Sequence, residues 1–337
     1  MRKLLILSQI GSPNSPTPKD VGLYLNKFLM DPRIITAPFI IRWLLVNGLI
    51  IPRRKFSSAE KYKKIWRTEG SPLVLETLDF AKKLAEQLKS PEWTIQMHWR
   101  YGKSTEEQFS NLQNEVDFSE IYLAPLYPQY AAATTESSLD VLGSYFLQKK
   151  TNSKIKKLKP FYSSNEWINS WVNQIKNSWT EYDHILFSYH GLPQSQVKKN
   201  KSCQLSHSCC EKPDISKCYY AQCLKSSALI AEKLQMSRVG YTVSFQSRVG
   251  PTKWLEPDTE SVALKLAQTG YKNILVICPS FVTDGLETLE EIKIELASKF
   301  KEAGGQKCDL VDSLNSQNIW IDGFRKIVLN TESWESL

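Results

Sequence analysis

The stretch His184-Ile-Leu-Phe-Ser-Tyr-His190-Gly-Leu-Pro193 decides the fold. Apolar and aromatic residues lead to a histidine in a Gly-Pro turn, as in a strand covered on both faces of a parallel sheet. Parallel α/β sheets hold their ligands just beyond the carboxyl ends of the strands. His190 is therefore expected on the rim of a cleft, where a neutral imidazole can take or give a proton near pH 7. The competing reading is a histidine satisfied by a backbone carbonyl in a strand-end turn, and the rest of the chain must choose between the two.

Working outward, strands and helices alternate on both sides. A helical pattern at 167–179 precedes the histidine strand. Helices at 224–234 and 259–269 and strands at 241–247 and 273–278 follow it. Nearer the start, Met1-Arg-Lys-Leu-Leu-Ile-Leu-Ser8 reads as a first strand rather than a secretory signal, because no small-residue cleavage site follows. A turn-rich loop and a helix at 19–30 come next. Ser71 and Pro72 open a helix to Ser90 whose apolar face is Leu78, Ala81, Leu84, Ala85 and Leu88. Strands at 94–101 and 120–124 follow, then a helix from Thr134-Thr135 to about Lys149. The Lys-rich run 151–159 reads as an interdomain linker. The expected fold is α/β: two Rossmann-like domains with parallel sheets flanking a cleft. Their bounds are expected at 1–155 and 156–310, with 311–337 packing back on the first domain.

The 337 residues, 42% hydrophobic and 23% charged, suit a soluble two-domain protein, and no run reaches the roughly 20 apolar residues of a membrane span. The net charge of +8 comes from lysines and arginines scattered among acidic residues, without a zinc-finger, RNP or KH pattern, so nucleic acid is not an expected partner. Seven cysteines without a signal point to a reducing, cytoplasmic compartment. The greasy segment 34–51, with Pro38-Phe-Ile-Ile-Arg-Trp-Leu-Leu-Val46 before Pro52-Arg-Arg-Lys55, reads in two ways. It is either an exposed lip for a flat hydrophobic ligand or a peripheral membrane contact, or it is a buried connecting helix, and periodicity does not separate these.

Three further patterns carry chemistry. Glu287, Glu291 and Glu295, spaced by four, share one stripe of a helix, where like charges raise one another's pKa and offer a path for protons or a divalent cation; a solvated helix face is the plainer reading. Phe245-Gln-Ser-Arg-Val-Gly-Pro-Thr-Lys-Trp254 leaves a strand, turns at Gly250-Pro251, and presents a tryptophan able to cover a flat ligand. The earlier strands end in Arg100-Tyr101 and Pro125-Leu-Tyr-Pro-Gln-Tyr130, giving aromatic walls and a cationic anchor for carboxylates.

Taken together the motifs resemble the ferrochelatase family over nearly the whole chain. They are Gly11-Ser-Pro13 with Phe28-Leu-Met-Asp-Pro-Arg33, Glu69-Gly-Ser-Pro-Leu73, Tyr127-Pro-Gln-Tyr130, Ser188-Tyr-His-Gly-Leu-Pro193, Gln246-Ser-Arg-Val-Gly250 with Trp254-Leu255, and Leu286-Glu-Thr-Leu-Glu-Glu291. The resemblance implies a class II chelatase-type fold around a porphyrin cleft. It also implies insertion of Fe(II), the metal substrate, into protoporphyrin IX or coproporphyrin III in haem biosynthesis. It matches His190 to the site histidine and Glu287 to its carboxylate partner, with Glu291 and Glu295 continuing an acidic row along a helix that carries a π-type irregularity in this family. These four are the expected iron-handling residues. Ile10, Arg100, Tyr101, Tyr127, Ser247 and Trp254 match positions around the porphyrin. A cobalt or nickel tetrapyrrole chelatase of the same fold, or a non-catalytic two-domain binding protein, explains fewer of these motifs.

Between the histidine loop and the helix at 224 lies Cys203-Gln-Leu-Ser-His-Ser-Cys209-Cys210-Glu-Lys-Pro-Asp-Ile-Ser-Lys-Cys218-Tyr-Tyr-Ala-Gln-Cys223. Five thiols in so short a segment point to a metal site, zinc or iron-sulfur. Some bacterial members of the resembled family carry a 2Fe-2S cluster with ligands in this internal region, which makes a cluster the first expectation and zinc the second. The expected ligands are Cys203, Cys209, Cys210 and Cys218, with Cys223 left out. The adjacency of Cys209 and Cys210 is the weak point of that set.

Overall fold

Strand β1 (Lys3–Gln9) is buried from Leu4 to its end, as a central parallel strand must be when helices cover both faces of its sheet. The computed structural model of the chain describes every residue except 1, 89–91, 115–117, 179–180, 199–202, 204, 206, 211–213, 237–239 and 249–251, and leaves the side chains of 113–114 and 207–208 undescribed. The expected turn at Gly250-Pro251 and the expected helix ends at Ser90 and Trp179 lie outside the described residues.

Two units are present. The first comprises Met1–Tyr127, Ala132–Lys159 and Arg325–Leu337; the second comprises Pro128–Ala131 and Pro160–Phe324. In the first, β1, β2 (Trp93–Trp99), β3 (Glu120–Pro125), β4 (Lys154–Leu158) and β9 (Trp334–Ser336) form a sheet of order β2-β1-β3-β4-β9, parallel except for β9. Its helices are α1 (Pro18–Leu29), α2 (Phe39–Trp43), α3 (Ile51–Ile65), α4 (Pro72–Leu88), α5 (Thr105–Gln108) and α6 (Ser137–Gln148). Leu4, Ile6, Ile121 and Leu123 from the strands pack with Phe109 and with Leu139, Leu142, Tyr145 and Phe146.

The second unit holds a fully parallel sheet of order β6-β5-β7-β8, made of β5 (His184–His190), β6 (Gly240–Gln246), β7 (Asn273–Ile277) and β8 (Lys307–Leu310). Helix α7 (Asn165–Asn177) precedes these strands, α8 (Gln194–Val197), α9 (His207–Cys210), α10 (Tyr219–Lys233), α11 (Thr259–Gln268), α12 (Leu286–Leu289) and α13 (Ala297–Glu302) run between them, and α14 (Asn318–Leu329) follows, with its residues from Arg325 on belonging to the first unit. Every residue of β5 before His190 is buried, as its apolar run requires.

Three local expectations are corrected. The run 151–159 is not a linker, because Lys154–Leu158 forms β4, paired with β3 on one side and β9 on the other. Its lysines are tolerated because Lys156 Nζ bonds Glu120 at 2.6 Å and lies over the Tyr122 ring. In α4, Leu78 is 45% exposed, while Thr77 and Phe80 join Ala81, Leu84 and Leu88 inside. The greasy segment 34–51 is not a buried connector. Phe39 (64%), Ile40 (72%), Ile41 (57%), Trp43 (50%) and Leu44 (57%) stand in solvent on α2 and the π-helical turn Leu44–Ile50 that continues it.

Candidate active site

In a parallel sheet all carboxyl ends lie at one edge, so the register shows which residues meet there. In the second unit His190 is level with Gln246, and β7 ends at Ile277 opposite Phe187. His190, Ser247 and the loop after Cys278 therefore gather at the same edge.

His190 is half-buried, with its Nδ1 2.7 Å from the Gly191 carbonyl oxygen. A carbonyl only accepts, so Nδ1 carries the proton and Nε2 presents a lone pair. Burial lowers the imidazole pKa, partly opposed by the nearby Glu291 carboxylate and by that carbonyl, and the neutral form prevails at pH 7. The Phe281 ring lies 6.2 Å from the imidazole. Gly191 has to be glycine, since a Cβ there would stand 2.6 Å from the Gln246 carbonyl oxygen and 3.4 Å from the Trp254 ring. Trp254 is held in that place by main-chain bonds between the two loops, Leu255 N–H to the Leu192 carbonyl at 2.9 Å and Gln194 N–H to the Lys253 carbonyl at 2.8 Å.

The glutamates enter from the segment after β7. Glu287 sits in the first turn of α12, half-buried, its carboxyl pushed up from the ordinary value by burial and partly pulled back by its own backbone N–H. Its carbonyl accepts from Gln246 Nε2 at 3.0 Å, and the Gln246 Oε1 accepts from Ser188. Glu291 begins the π-helical turn Glu291–Leu296, in which Glu295 N–H reaches the Glu290 carbonyl at 2.9 Å. Ser247 Oγ donates to Glu291 at 2.5 Å, from a backbone at φ 64, a left-handed conformation costly for a residue with a Cβ. The acidic row divides here. Glu287 and Glu291 are tied to the end of β6, whereas Glu295 pairs with Lys299 at 2.8 Å, and Lys299 pairs in turn with Glu260 at 2.8 Å.

In the first unit, Gln9, Trp99 and Pro125 end their strands together. Ile10 is half-buried, and its carbonyl accepts from Tyr101 N–H at 3.1 Å. Arg100 Nη2 bonds the buried Asp31 carboxylate at 2.7 Å, while its Nε bonds Ser137 Oγ at 2.8 Å. The same Asp31 oxygen accepts from Tyr101 at 2.9 Å and from Ser137 at 2.5 Å. Tyr101 is thus buried behind Arg100, and burial and then Asp31 raise its hydroxyl pKa. Tyr127 is half-buried with its hydroxyl raised by burial, and Ser138 offsets part of that.

Sequence reading missed Asp31, Ser137, Gln246 as a support, Ser280 and Tyr219. The last two hold the main chain of His190: its N–H donates to Ser280 Oγ at 3.0 Å, and its carbonyl accepts from the Tyr219 hydroxyl at 2.8 Å. Tyr219 escaped because α10 starts five residues before the expected helix at 224, directly after Cys218.

Burial and then Cys209, Cys218 and Cys203 push the Cys210 thiol up to about 12, so these four lie within electrostatic reach of one another. Cys218 is raised by burial, and the amides of Ala221 and Tyr220 at the start of α10 pull it back. Cys223 is fully buried, its thiol raised by burial, pulled back by the Tyr219 hydroxyl and raised again by Cys218. Among the described residues no three His, Cys, Asp or Glu side chains stand ready-made at ligand spacing. Cys209 and Cys210 share the one-turn helix α9, where neighbouring side chains diverge by about 100°.

The ferrochelatase family model matches residues 2–332. A ferrochelatase of Bdellovibrio bacteriovorus is 42% identical over 97% of this chain and 98% of its own. A ferrochelatase of Pseudomonas fluorescens is 40% identical over 94% of each. Among solved structures, SirB from Bacillus subtilis, determined with Fe3+, is similar at a TM-score of 0.54 and 12% identity over 97% of this chain and 94% of that one, which shows a shared fold. With this match across the chain and these identities, the chain belongs to the ferrochelatase family.

Proposed function

We propose that His190 and Glu287 are the reacting groups of a ferrochelatase, an enzyme that inserts Fe(II) into a porphyrin in haem biosynthesis. The observation that carries the assignment is the Gly191 carbonyl on Nδ1, which leaves the His190 Nε2 lone pair as a proton acceptor at the sheet edge that also holds Glu287. Metallation removes two pyrrole protons from nitrogens that point inward, and a flat ring resists a hydrated ion. A neutral imidazole takes a proton there, and the carboxylates of Glu287 and Glu291 receive protons or displace water from the iron. Glu295, held by Lys299, marks the outer end of the row. Ser247 fixes Glu291 and Trp254 covers one side of the ring; Ile10, Arg100 and Tyr127 are proposed as further porphyrin residues, and Tyr101, buried behind Arg100, supports that cation. Binding energy from these remote contacts supports the ring distortion that insertion requires. The test is loss of porphyrin fluorescence on metal insertion, with protoporphyrin and coproporphyrin run side by side. No insertion into either would overturn the reading, and the preferred ring identifies the substrate. A cobalt or nickel chelatase is disfavoured by the 42% identity to a ferrochelatase.

Cys203, Cys209, Cys210 and Cys218 are proposed to hold a 2Fe-2S cluster, with zinc as the second choice. The donor set fits in its chemistry rather than in ready-made geometry: four soft thiols that influence one another electrostatically, one of them at a helix start, where amides favour a thiolate. When bound, such a cluster supplies a one-electron redox centre. The expected result is visible sulfur-to-iron absorption with iron and acid-labile sulfide in equal amounts, lost in Cys218→Ser and kept in Cys223→Ser. Zinc without sulfide in protein from iron-replete cells would remove the cluster.

The exposed lip is proposed to touch an anionic membrane surface. Phe39, Ile40, Trp43 and Leu44 are its apolar part and Arg53, Arg54 and Lys55 its basic flank, while no described helix is long and apolar enough to cross a bilayer. Cosedimentation with phosphatidylserine vesicles is expected and should fall several-fold when Phe39, Ile40 and Trp43 become serine. Equal binding by the wild type and this variant would remove the contact.

A further inference from the structure

His190 stands where its sheet runs out. On the β6 side it is still level with Gln246, and Gly191 N–H continues that contact to the Gln246 carbonyl at 2.8 Å. On the other side, β7 stops at Ile277, level with Phe187, so residues 188–190 extend past the end of their neighbour. In a parallel strand the N–H and C=O of one residue point the same way. Those of His190 face the side that a longer β7 would have paired, and a buried backbone group left unpaired there would be costly.

Two side chains take the place of that missing strand. Ser280 Oγ accepts from the His190 N–H at 3.0 Å, and the Tyr219 hydroxyl donates to the His190 carbonyl at 2.8 Å. Tyr219 is buried, and its hydroxyl also interacts with Ser280, so the two supports brace each other. They come from different elements, Tyr219 from the first residue of α10 and Ser280 from the loop after β7 that leads to the glutamates. We propose that Tyr219 is a positioning residue for the metal-insertion reaction, fixing the His190 main chain, and with it Nε2, through a hydroxyl-to-carbonyl bond that substitutes for sheet pairing. The proposal rests on the family reading for its activity arm only. Because Tyr219 directly follows Cys218, the bond also ties the cysteine segment to the histidine.

The experiment is Tyr219→Phe in the full chain, which keeps the ring and deletes only the hydroxyl. Expected are a kcat for Fe(II) or Zn(II) insertion reduced about tenfold, a porphyrin KM changed less than about twofold, and a displaced His190 Cε1–H proton resonance, assigned by its loss in His190→Ala. Tyr189→Phe is the control: it removes a buried hydroxyl that meets Ser227 at 2.8 Å without contacting His190, and it should retain kcat and the resonance position. An unmoved resonance with kcat within about twofold of wild type overturns the proposal, as does an equal loss in Tyr189→Phe. If Tyr219→Phe does not fold, Ser280→Ala gives the same reading from the N–H side. Should the wild type insert no metal, the family reading fails while the resonance still tests the positioning.

Discussion

His190→Ala is expected to lower metal insertion by about 10²- to 10⁴-fold, the range spanned by a positioned general base, while leaving porphyrin affinity within a few-fold of wild type. Two features of the site support the separation of rate from binding. The imidazole presents an unprotonated Nε2 because Nδ1 is committed to the Gly191 carbonyl, so removing the ring removes the proton acceptor. The flat surface of Trp254 remains, held by main-chain bonds that do not involve the imidazole. The pH profile should show the same group. Burial lowers the His190 pKa below its ordinary 6.5, so the neutral base persists to lower pH than in a free histidine, and the acidic limb of kcat/KM should lie below 6.5. The measurements are porphyrin titration by quenching of tryptophan fluorescence, and single-turnover insertion across pH. A variant that inserts Fe(II) at more than a tenth of the wild-type rate would exclude His190 as the base.

The parts of this molecule that could be read from sequence are those where one local pattern has one physical explanation. An apolar and aromatic run ending in His-Gly-Leu-Pro reads as a central strand, and β5 is buried up to the histidine. Patterns with two explanations were harder. The lysines of β4 resemble a solvated linker until Glu120, Tyr122 and β9 are known to lie beside them, and all three are distant in sequence. The segment at 34–51 gives the same apolar periodicity whether it faces a core or solvent, and only its surroundings choose. At the site, His190, Glu287 and Glu291 are legible as chemical types, but their supports are not. Ser280, Gln246 and Asp31 act through main-chain carbonyls, amides and ion pairs set by register. Arg100 and Tyr101 are adjacent at a strand end, yet only the structure shows both directed to Asp31, with Tyr101 buried behind the cation. The even spacing of Glu287, Glu291 and Glu295 implied equivalence. The π-helical turn and the Lys299–Glu260 pair distinguish the inner two from the outer one.

Glu287→Gln should separate catalysis from stability. The substitution preserves size and leaves the Glu287 carbonyl available to Gln246, so α12 is expected to stay in place. It removes only the ability to ionise, and insertion should fall about 10²-fold if the carboxylate receives a proton or draws water from the iron. Stability should change in the opposite direction. Burial raises the Glu287 pKa from its ordinary 4.5, so the folded chain binds this proton more tightly than the unfolded chain does. For an acid shifted upward, folding stability declines as pH rises from the unfolded value through the folded one, because the folded state then has to bury a charge. Glutamine carries no such cost. The two proteins should therefore melt at similar temperatures near pH 4.5, and the variant should melt progressively higher as pH rises toward neutrality. Glu295→Gln serves as the contrast for stability, because its partner Lys299 lies in a surface pair where loss of the charge has little effect on melting. Calorimetric melting across pH, paired with single-turnover insertion, reads both effects on the same samples. A Glu287→Gln protein that inserts iron normally would exclude the carboxylate from the reaction. One that melts below wild type at neutral pH would show instead that Glu287 is held ionised in the resting site by a favourable partner.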